Sequence, residues 1–203
     1  MGNSQRYLFT LSIGPVQEFI AAARRTRDLW SGSFLLSEIS KAVAKSLAEQ
    51  QGELIFPAPN NIESDLKPID VYTEEAYNVG NKVLALITTD SPAGVLEAAK
   101  AAARNRWQQI AMDSKDKAAR TGLIINEDRW EKQVGDVLEL YGSWRKLDDD
   151  YPSNRQRLDQ LLNARKNTRE FAQNPITDHH IPKSSLDGLR EKVTDKEDTL
   201  KPW

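Results

Sequence analysis

The feature that most constrains this chain is a strand pattern that passes directly into a helical pattern through Gly14-Pro15. Aromatic and branched residues alternate before the turn: Tyr7, Phe9, Leu11 and Ile13. Apolar residues recur at helical spacing after it: Val16, Phe19, Ile20 and Ala23. The alternation predicts a strand, and Pro15 suits a first helical turn because the N–H that it lacks would be unpaired there. We therefore predict a strand, a tight turn and a helix in direct succession.

The following residues predict further strands and helices. The sequence WSGS at 30–33 predicts a break in the first helix, and a second amphipathic helix then closes near Gly52. A short strand at 53–56 stops at prolines, a strong strand pattern covers 82–88, and Ser91-Pro92 begins an alanine-rich helix. This order predicts an α+β fold of the ferredoxin-like type, with an antiparallel sheet covered by helices on one face.

After Asn126 the sequence predicts helices without strands. Residues of the first such helix lie at helical spacing and include Trp130, Val134 and Tyr141, and a further helix follows through Leu158 and Leu162. We therefore predict a ferredoxin-like domain at 1–122 and a helical extension with the start of a following module at 123–203. The tail stops without a closing element, so we expect a truncated or split chain.

Composition excludes several classes of function. The chain has 203 residues, and 28 Lys and Arg against 30 Asp and Glu give a net charge of −2, which leaves room only for local basic surfaces. The absence of cysteine excludes disulfides, thiol catalysis and cysteine-ligated zinc within these residues. Neither a signal peptide nor an apolar membrane span is indicated, so we predict a cytoplasmic protein that does not contact a membrane.

The turn at Gly14 and the residues after it are candidates for binding. A tight strand-to-helix turn directs backbone N–H groups at one point, which suits phosphate, although glycine at such a bend also satisfies a turn requirement alone. Gln17 and the arginines at 24, 25 and 27 lie on the less apolar faces of the predicted helix. Their guanidinium groups suit RNA phosphates, and the alternative is a solvated helix face.

The segment SIGPVQEFIAAARRTRDLWSGSFLLSEIS at 12–40 resembles the first Palm domain of the large subunit of type III CRISPR effector complexes, especially the III-B (Cmr) branch. Four later stretches resemble the same subunit in the same order: PAPNN, VGNKVLALI, ARKNTREF and IPKSSLDGLREKV. The resemblance implies a ferredoxin-type Palm fold in an antiviral complex that contains guide RNA and binds target RNA. It also implies a second Palm domain that makes cyclic oligoadenylates from ATP with a GGDD motif and Mg²⁺ or Mn²⁺.

The catalytic motifs of that family are missing from this chain. It contains no GGDD, no histidine-aspartate nuclease motif and no zinc-binding cysteines, and Ser12 and Gly14 stand where a catalytic Palm strand would carry acids. The resemblance thus implies a non-catalytic Palm domain, without catalytic or metal-binding residues, that binds other subunits and RNA and forms one wall of an ATP pocket. The implied nucleotide-binding residues are Ser12, Gly14, Gln17, Ser33, Ser184 and Ser185. The implied RNA-binding residues are Arg24, Arg25, Arg27 and Lys183.

Other interpretations remain open from the sequence. One is a self-sufficient, homodimeric nucleotidyl cyclase that holds metal with scattered carboxylates, although Asp28 and Glu38 do not form a convergent pair; another is a scaffold that binds neither RNA nor ATP. Asp178-His179-His180 fits a polar loop or a metal site. A basic cluster fits an RNA-facing or a solvated surface: Arg155, Arg157, Arg165, Lys166 and Arg169. Three tryptophans are predicted to pack between elements: Trp107, Trp130 and Trp144.

Overall fold

A computed structural model describes residues 4–70, 76–168, 181–184 and 190–194. Within these ranges the strands are β1 Gln5–Gly14, β2 Glu53–Phe56, β3 Lys82–Thr89 and β4 Glu139–Lys146. The helices are α1 Val16–Ala22, α2 Thr26–Glu49, α3 Ile62–Asp65, α4 Pro92–Arg120, α5 Glu127–Val137 and α6 Tyr151–Asn167. No helix in the described ranges combines the length and the apolar character that crossing a bilayer requires.

The four strands form one antiparallel sheet in the order β2-β3-β1-β4. This strand order, with helices between β1 and β2 and between β3 and β4, is the ferredoxin-like arrangement. The predicted α+β class with an antiparallel sheet is confirmed. The first strand lies in the interior of the sheet, so β1 has β3 as its neighbour on one side and β4 on the other.

The two faces of the sheet are covered by different helices. Apolar residues of β1 and β3 that share one face pack with residues of α2 and α4 in the main core: Phe9, Leu11, Ile13, Val83, Ala85, Ile39, Val43, Leu96 and Ala99. On the opposite face, Leu8 and Leu84 pack against Leu158 of α6. The pattern follows from the strand period of two, which sends successive side chains to opposite faces.

The break between the first two helices lies at residues 23–25 and not at WSGS, so that prediction was wrong. The Asp28 carboxylate accepts hydrogen bonds from the backbone N–H groups of Arg24 at 3.1 Å and Arg25 at 2.9 Å, which caps the start of α2. Gly32 instead lies inside α2, where a Cβ would be 3.2 Å from the Cβ of Phe19 in α1. Glycine therefore permits the close approach of two helices at this point.

The second half of the predicted helix after Asn126 is a strand. The helix α5 ends at Val137, and residues 139–146 pair with β1 from Tyr7↔Lys146 to Gly14↔Glu139. Leu140 and Trp144 pack against the core, whereas Ser143 donates a hydrogen bond to the Leu158 carbonyl on the other face. The helical prediction for this stretch was wrong because tertiary pairing with β1 outweighs the local pattern. The predicted division at residue 122 assigns β4 to a different segment from β1, β2 and β3, although the four strands form one sheet.

Candidate functional site

A pocket of about 500 Å³ lies at the end of β1, beside the turn into α1. Its lining includes Ser12, Gly14, Gln17, Asn81, Glu139, Tyr141 and Lys166. Three of the predicted nucleotide-binding residues, Ser12, Gly14 and Gln17, are therefore brought together at one opening. We call this the elbow pocket.

The pairing of β1 with β4 decides which side chains face the turn. Gly14 lies opposite Glu139, and Ser12 lies opposite Tyr141. A Cβ on Gly14 would be only 3.2 Å from the Oε2 atom of Glu139, so a larger residue at position 14 would displace the carboxylate. The elbow is thus not a purely anion-binding turn, because a carboxylate lies beside it.

Asn81 holds the two sides of the elbow pocket together. Its side-chain amide donates a hydrogen bond to the Ile13 carbonyl at 3.1 Å, and the Ile13 N–H donates to the Asn81 carbonyl at 2.8 Å. These reciprocal bonds fix the loop before β3 against the end of β1. The pocket wall is therefore built from backbone that is already hydrogen-bonded.

The charges of the elbow pocket are mixed. Lys166, in the last turn of α6, supplies an exposed ammonium group, while Glu18 and Glu139 supply carboxylates. An ammonium group suits phosphate, and carboxylate and hydroxyl oxygens suit the hydroxyls of a sugar. This combination of groups matches a ligand that carries both phosphates and hydroxyls.

Sequence reasoning did not assign five polar lining residues to the elbow pocket: Glu18, Asn81, Glu139, Tyr141 and Lys166. Asn81 and Lys166 lie in the stretches VGNKVLALI and ARKNTREF, whose similarity to the Palm domain was the available signal. Glu139 and Tyr141 carried no such signal. They reach the pocket only because 139–146 is a strand beside β1.

Ser33 lies in a second, smaller chamber of about 280 Å³ between α1 and α2. Its lining is mostly apolar and includes Phe19, Leu29 and Leu36, with Ser33 as a polar group. The two chambers share Val16 and Asn81, so they adjoin. Ser33 is therefore next to the elbow pocket and not inside it.

The three predicted RNA-binding arginines are exposed at the junction of α1 and α2. Arg24 and Arg25 lie in the link between the helices, and Arg27 lies in the first turn of α2, 3.9 Å from Asp28. Within the described ranges, no ion pair engages the guanidinium groups of Arg24 and Arg25. The prediction that these arginines lie on the face of a continuous helix was wrong for Arg24 and Arg25, because Asp28 caps a new helix there.

The predicted residues Lys183 and Ser184 belong to a short antiparallel pair formed by 181–184 and 190–194. This pair is held against α5, where Gln133 donates to the Glu191 carbonyl at 2.8 Å and Arg129 to the Lys192 carbonyl at 2.5 Å. Neither Lys183 nor Ser184 lines the elbow pocket, but Arg190 of the same pair lies 3.8 Å from Glu18 at its rim. Ser185, Arg169 and Asp178-His179-His180 lie outside the described residues.

The two carboxylates considered for a self-sufficient cyclase are engaged elsewhere. Asp28 caps α2, and Glu38 is 1% exposed between Lys41 at 2.8 Å and Arg106 at 2.7 Å. Within the described ranges, no group of three or more His, Asp or Glu side chains is arranged to hold a metal ion. These acids therefore stabilise the fold.

One acid also lies within the basic cluster of α6. Burial raises the pKa of Asp159, but hydrogen bonds from Lys82 at 2.5 Å and Arg155 at 3.0 Å outweigh it and hold the pKa below its usual value. Arg155 is therefore paired, whereas Arg157, Arg165 and Lys166 are exposed.

The predicted packing of Trp107 and Trp144 against the core is confirmed, and Trp130 lines a groove between α4 and α5.

Comparison with known proteins places this fold in a family. Residues 8–112, more than half of the chain, match the family described as CRISPR-associated protein Cmr2, N-terminal. The chain belongs to this Cmr2 family. The resemblance to the large subunit of the Cmr branch, inferred from residues 12–40 and the later stretches, is confirmed.

Several proteins of known sequence or structure are similar to this chain. The CRISPR system Cmr subunit Cmr2 of Pyrococcus furiosus is 29% identical over 134 residues, which cover 62% of this chain and 15% of that protein. A cryo-EM structure of a type III-B Cmr-beta complex bound to cognate target RNA contains a chain with the same fold, at a TM-score of 0.53, 12% identity, and coverage of 92% of this chain and 26% of that one. A crystal structure of Csm1 in T. onnurineus matches at a TM-score of 0.40 and 14% identity, over 80% of this chain and 20% of that one. The chain thus spans about a quarter or less of the length of these proteins.

Proposed function

We propose that this chain is a non-catalytic Palm portion of the large subunit of a type III-B CRISPR effector complex that serves in antiviral defence. In this role it binds other subunits together with guide and target RNA, and it forms one wall of an ATP pocket for cyclic oligoadenylate synthesis. The observation that carries the proposal is the elbow pocket, where Ser12, Gly14 and Gln17 meet Lys166 at one opening of about 500 Å³. A volume of this size suits a nucleotide.

The elbow pocket supports a division of roles around ATP. We assign phosphate contact to Lys166, hydroxyl contact to Glu139 and Tyr141, and positioning contacts to Ser12 and Gln17. We assign base contact to Ser33, which lines the adjoining apolar chamber. Ser184, in the segment beside α5, and Ser185 stay candidates for contact with the nucleotide.

The metal ions of nucleotidyl transfer are assigned to another module. A two-metal site holds two cations about 3.5–4 Å apart with several acidic ligands. The acids of the elbow pocket are Glu18 and Glu139, and Glu18 lies 3.8 Å from Arg190. In this proposal the chain supplies shape and polar contacts, and acids of the second Palm domain would hold Mg²⁺ or Mn²⁺.

The nucleotide role is tested by isothermal titration of ATP into the assembled complex that contains this chain. Gln17→Ala is expected to weaken ATP binding about twofold to tenfold, because one hydrogen bond contributes roughly 0.5–1.5 kcal/mol. The control is Gln156→Ala, an exposed glutamine on α6 that does not line the pocket. Equal ATP affinity in wild type and Gln17→Ala would remove Gln17 from the site.

The RNA role is tested through the dependence of binding on salt concentration. Removing two phosphate contacts in the double variant Arg24→Ala, Arg27→Ala is expected to reduce the slope of log affinity against log salt by about 1.4 for single-stranded RNA. Arg120→Ala, at the exposed end of α4, is the matched control. An unchanged slope in the double variant would contradict the role of these arginines.

A further inference from the structure

The two edge strands of the sheet differ in how well they resist pairing with a further strand. The strand β2 is short, its register with β3 shifts between Leu54 and Phe56, and Pro57 follows it directly. The strand β4 pairs with β1 without a shift over eight residues and contains no proline. Short strands, bulges and prolines are the usual means of protecting a sheet edge. In the part of the sheet that the structure describes, β4 therefore keeps a long and regular edge.

The pairing of β4 with β1 shows which backbone groups of β4 point away from the sheet. The Leu147 N–H donates to the Arg6 carbonyl at 2.8 Å, so the odd-numbered residues here direct their backbone groups at β1. The even-numbered residues direct theirs outward: Leu140, Gly142, Trp144 and Lys146. Among the described residues, no hydrogen bond from another element reaches these outward groups. The outward row thus offers donors and acceptors to a further strand.

The core face beside this edge carries apolar side chains that are partly exposed. Leu140 and Trp144 pack against the main core but keep part of their surface accessible. Gly142 lies between them and is buried, because Leu96 of α4 packs on it. Lys146, at the end of the strand, is exposed. An added strand would cover apolar surface here, and the edge is most open at its Lys146 end.

On the other face of the sheet, one flank of α6 adjoins the same edge. The Asn154 side chain accepts a hydrogen bond from Arg145 of β4 at 2.7 Å, which marks the flank that faces β4. Leu161 lies about two turns further along this flank and is 45% exposed. Arg157 and Arg165 lie one turn before and one turn after Leu161, and both are exposed. Neither of these two arginines forms an ion pair within the described ranges.

This combination of groups favours an extended protein segment as the partner. A strand adds hydrogen bonds to an open edge, and its alternate side chains reach opposite faces of the sheet. Apolar side chains fit the core face, beside Leu140 and Trp144. Carboxylates fit the other face, beside Arg157 and Arg165. A nucleic acid would satisfy the arginines, but it would not pair with a row of alternating N–H and C=O groups.

We propose that the outer edge of β4 and the adjoining flank of α6 bind an extended segment of another polypeptide in which apolar and acidic residues alternate. The bound segment continues the sheet beyond β4. This inference rests on the proposed place of the chain in a multi-subunit complex and is independent of its proposed contacts with ATP and RNA.

The test is hydrogen exchange at single-residue resolution, in the 203-residue chain alone and in the assembled complex that contains it. The amides of Tyr141, Ser143 and Arg145 face β1, so they are expected to exchange slowly in both samples. The amides of Trp144 and Lys146 are expected to exchange at least about tenfold more slowly in the complex, because hydrogen-bonded amides are protected. Protection that alternates in this way identifies a paired strand.

Two results of this measurement would overturn the inference. One is exchange at Trp144 and Lys146 that is the same in the chain and in the complex. The other is protection of these amides in the isolated chain that grows with its concentration, which would assign the edge to a second copy of this chain.

Two substitutions at one position separate the backbone of the edge from its side chain. Lys146→Pro removes an outward N–H, a change that edge strands tolerate. Lys146→Ala removes the same ammonium group and keeps the N–H, so it is the matched control. Biolayer interferometry against the remaining subunits is expected to show about threefold to tenfold weaker binding for Lys146→Pro and less than about a twofold change for Lys146→Ala. Circular dichroism verifies that both variants fold, and equal affinities of the two would overturn the inference.

The acidic character of the partner is tested by reversing charge on α6. The double variant Arg157→Glu, Arg165→Glu is expected to weaken binding to the remaining subunits at least about tenfold, because like charges then face each other. The control is Arg104→Glu, on an exposed side of α4, with an expected change of less than about twofold. Unchanged binding of the double variant would contradict the acidic partner.

The proposed function and this inference fail in different ways. If Gln17→Ala weakens ATP binding while exchange at Trp144 and Lys146 is unchanged by assembly, the proposed function stands and the edge inference is rejected. If the chain does not assemble with the other subunits, both are rejected.

Discussion

Gly52 closes α2 at a position where a larger residue would collide with the backbone. A Cβ on Gly52 would lie 2.6 Å from the Leu47 carbonyl oxygen, the same oxygen that accepts a hydrogen bond from the Gly52 N–H at 2.9 Å. The obstacle is a backbone atom, so rotation of a side chain cannot relieve it. The end of the helix and the entry into β2 would have to shift together.

We predict that Gly52→Ala lowers the free energy of unfolding by about 1–3 kcal/mol, the usual cost of overpacking at a buried contact. Gly135→Ala is the matched control, because no atom lies within 4 Å of a Cβ at that position in α5. Alanine there is expected to raise the free energy of unfolding by up to about 1 kcal/mol through helix propensity. Urea denaturation measures both, and equal effects of the two substitutions would contradict the steric explanation.

At the scale of elements, α6 is fixed to the sheet by an apolar contact and an ion pair. Leu158 packs on Leu8 and Leu84, and the next residue in the helix, Asp159, forms an ion pair with Lys82 of β3. The helix also carries Lys166 to the elbow pocket, so its attachment affects the site. The ion pair connects the stability of this attachment to pH.

We predict that Asp159→Asn lowers the free energy of unfolding at pH 7 by up to about 1 kcal/mol, a magnitude limited by solvent screening. The pKa of Asp159 is lowered in the folded chain from its usual value of 3.8, so its contribution is present above that value and is lost as the pH falls through the lowered folded value. Urea denaturation across a pH series measures the difference between wild type and variant. A difference that stays constant well below pH 3.8 would contradict the proposed linkage.

Asp116→Asn provides the control for this pH series. Asp116 is an exposed acid on α4. Its substitution is expected to change the free energy of unfolding by less than about 0.5 kcal/mol at each pH, as is usual for surface positions.

At the scale of the whole molecule, a buried ionic cluster joins α2, α4 and the loop after α3. Glu38 accepts hydrogen bonds from Lys41, Arg106 and the Ile69 N–H, and Arg106 donates to the Ile69 carbonyl at 2.7 Å. The exposed fractions of Glu38, Lys41 and Arg106 are 1%, 3% and 9%. Because buried charges are costly without partners, this cluster fixes the relative position of two helices and a loop.

We predict that Arg106→Met lowers the free energy of unfolding by about 3–5 kcal/mol, because it leaves the buried Glu38 carboxylate with less compensation. The double variant Arg106→Met, Glu38→Gln is expected to recover part of this loss. Arg104→Met, on the exposed side of the same helix, is the control and should change stability by less than about 0.5 kcal/mol. Guanidinium denaturation measures all three, and a small effect of Arg106→Met would contradict the role of the cluster.

Local patterns predicted a large part of the fold and of the site. The strand before Gly14, the strand at 82–88 and the helix after Ser91-Pro92 are strong periodic segments, and each was predicted within a few residues. Ser12, Gly14 and Gln17 are adjacent in sequence around one turn, so their meeting in one pocket needed little tertiary information. The helix break was misplaced because the carboxylate of Asp28, and not a flexible glycine, determines where α2 begins.

The sequence by itself determined the α+β class, the turn at Gly14-Pro15 and the family resemblance, because these depend on periodicity and on residues that are contiguous. Tertiary structure alone decided that 139–146 is a strand beside β1, and with it that Glu139 and Tyr141 face the elbow pocket. It also decided that Glu38 is a buried structural charge and that Trp30 stays exposed. The physical reason is that strand pairing, burial and charge compensation depend on partners distant in sequence, and no local window contains both members of such a pair.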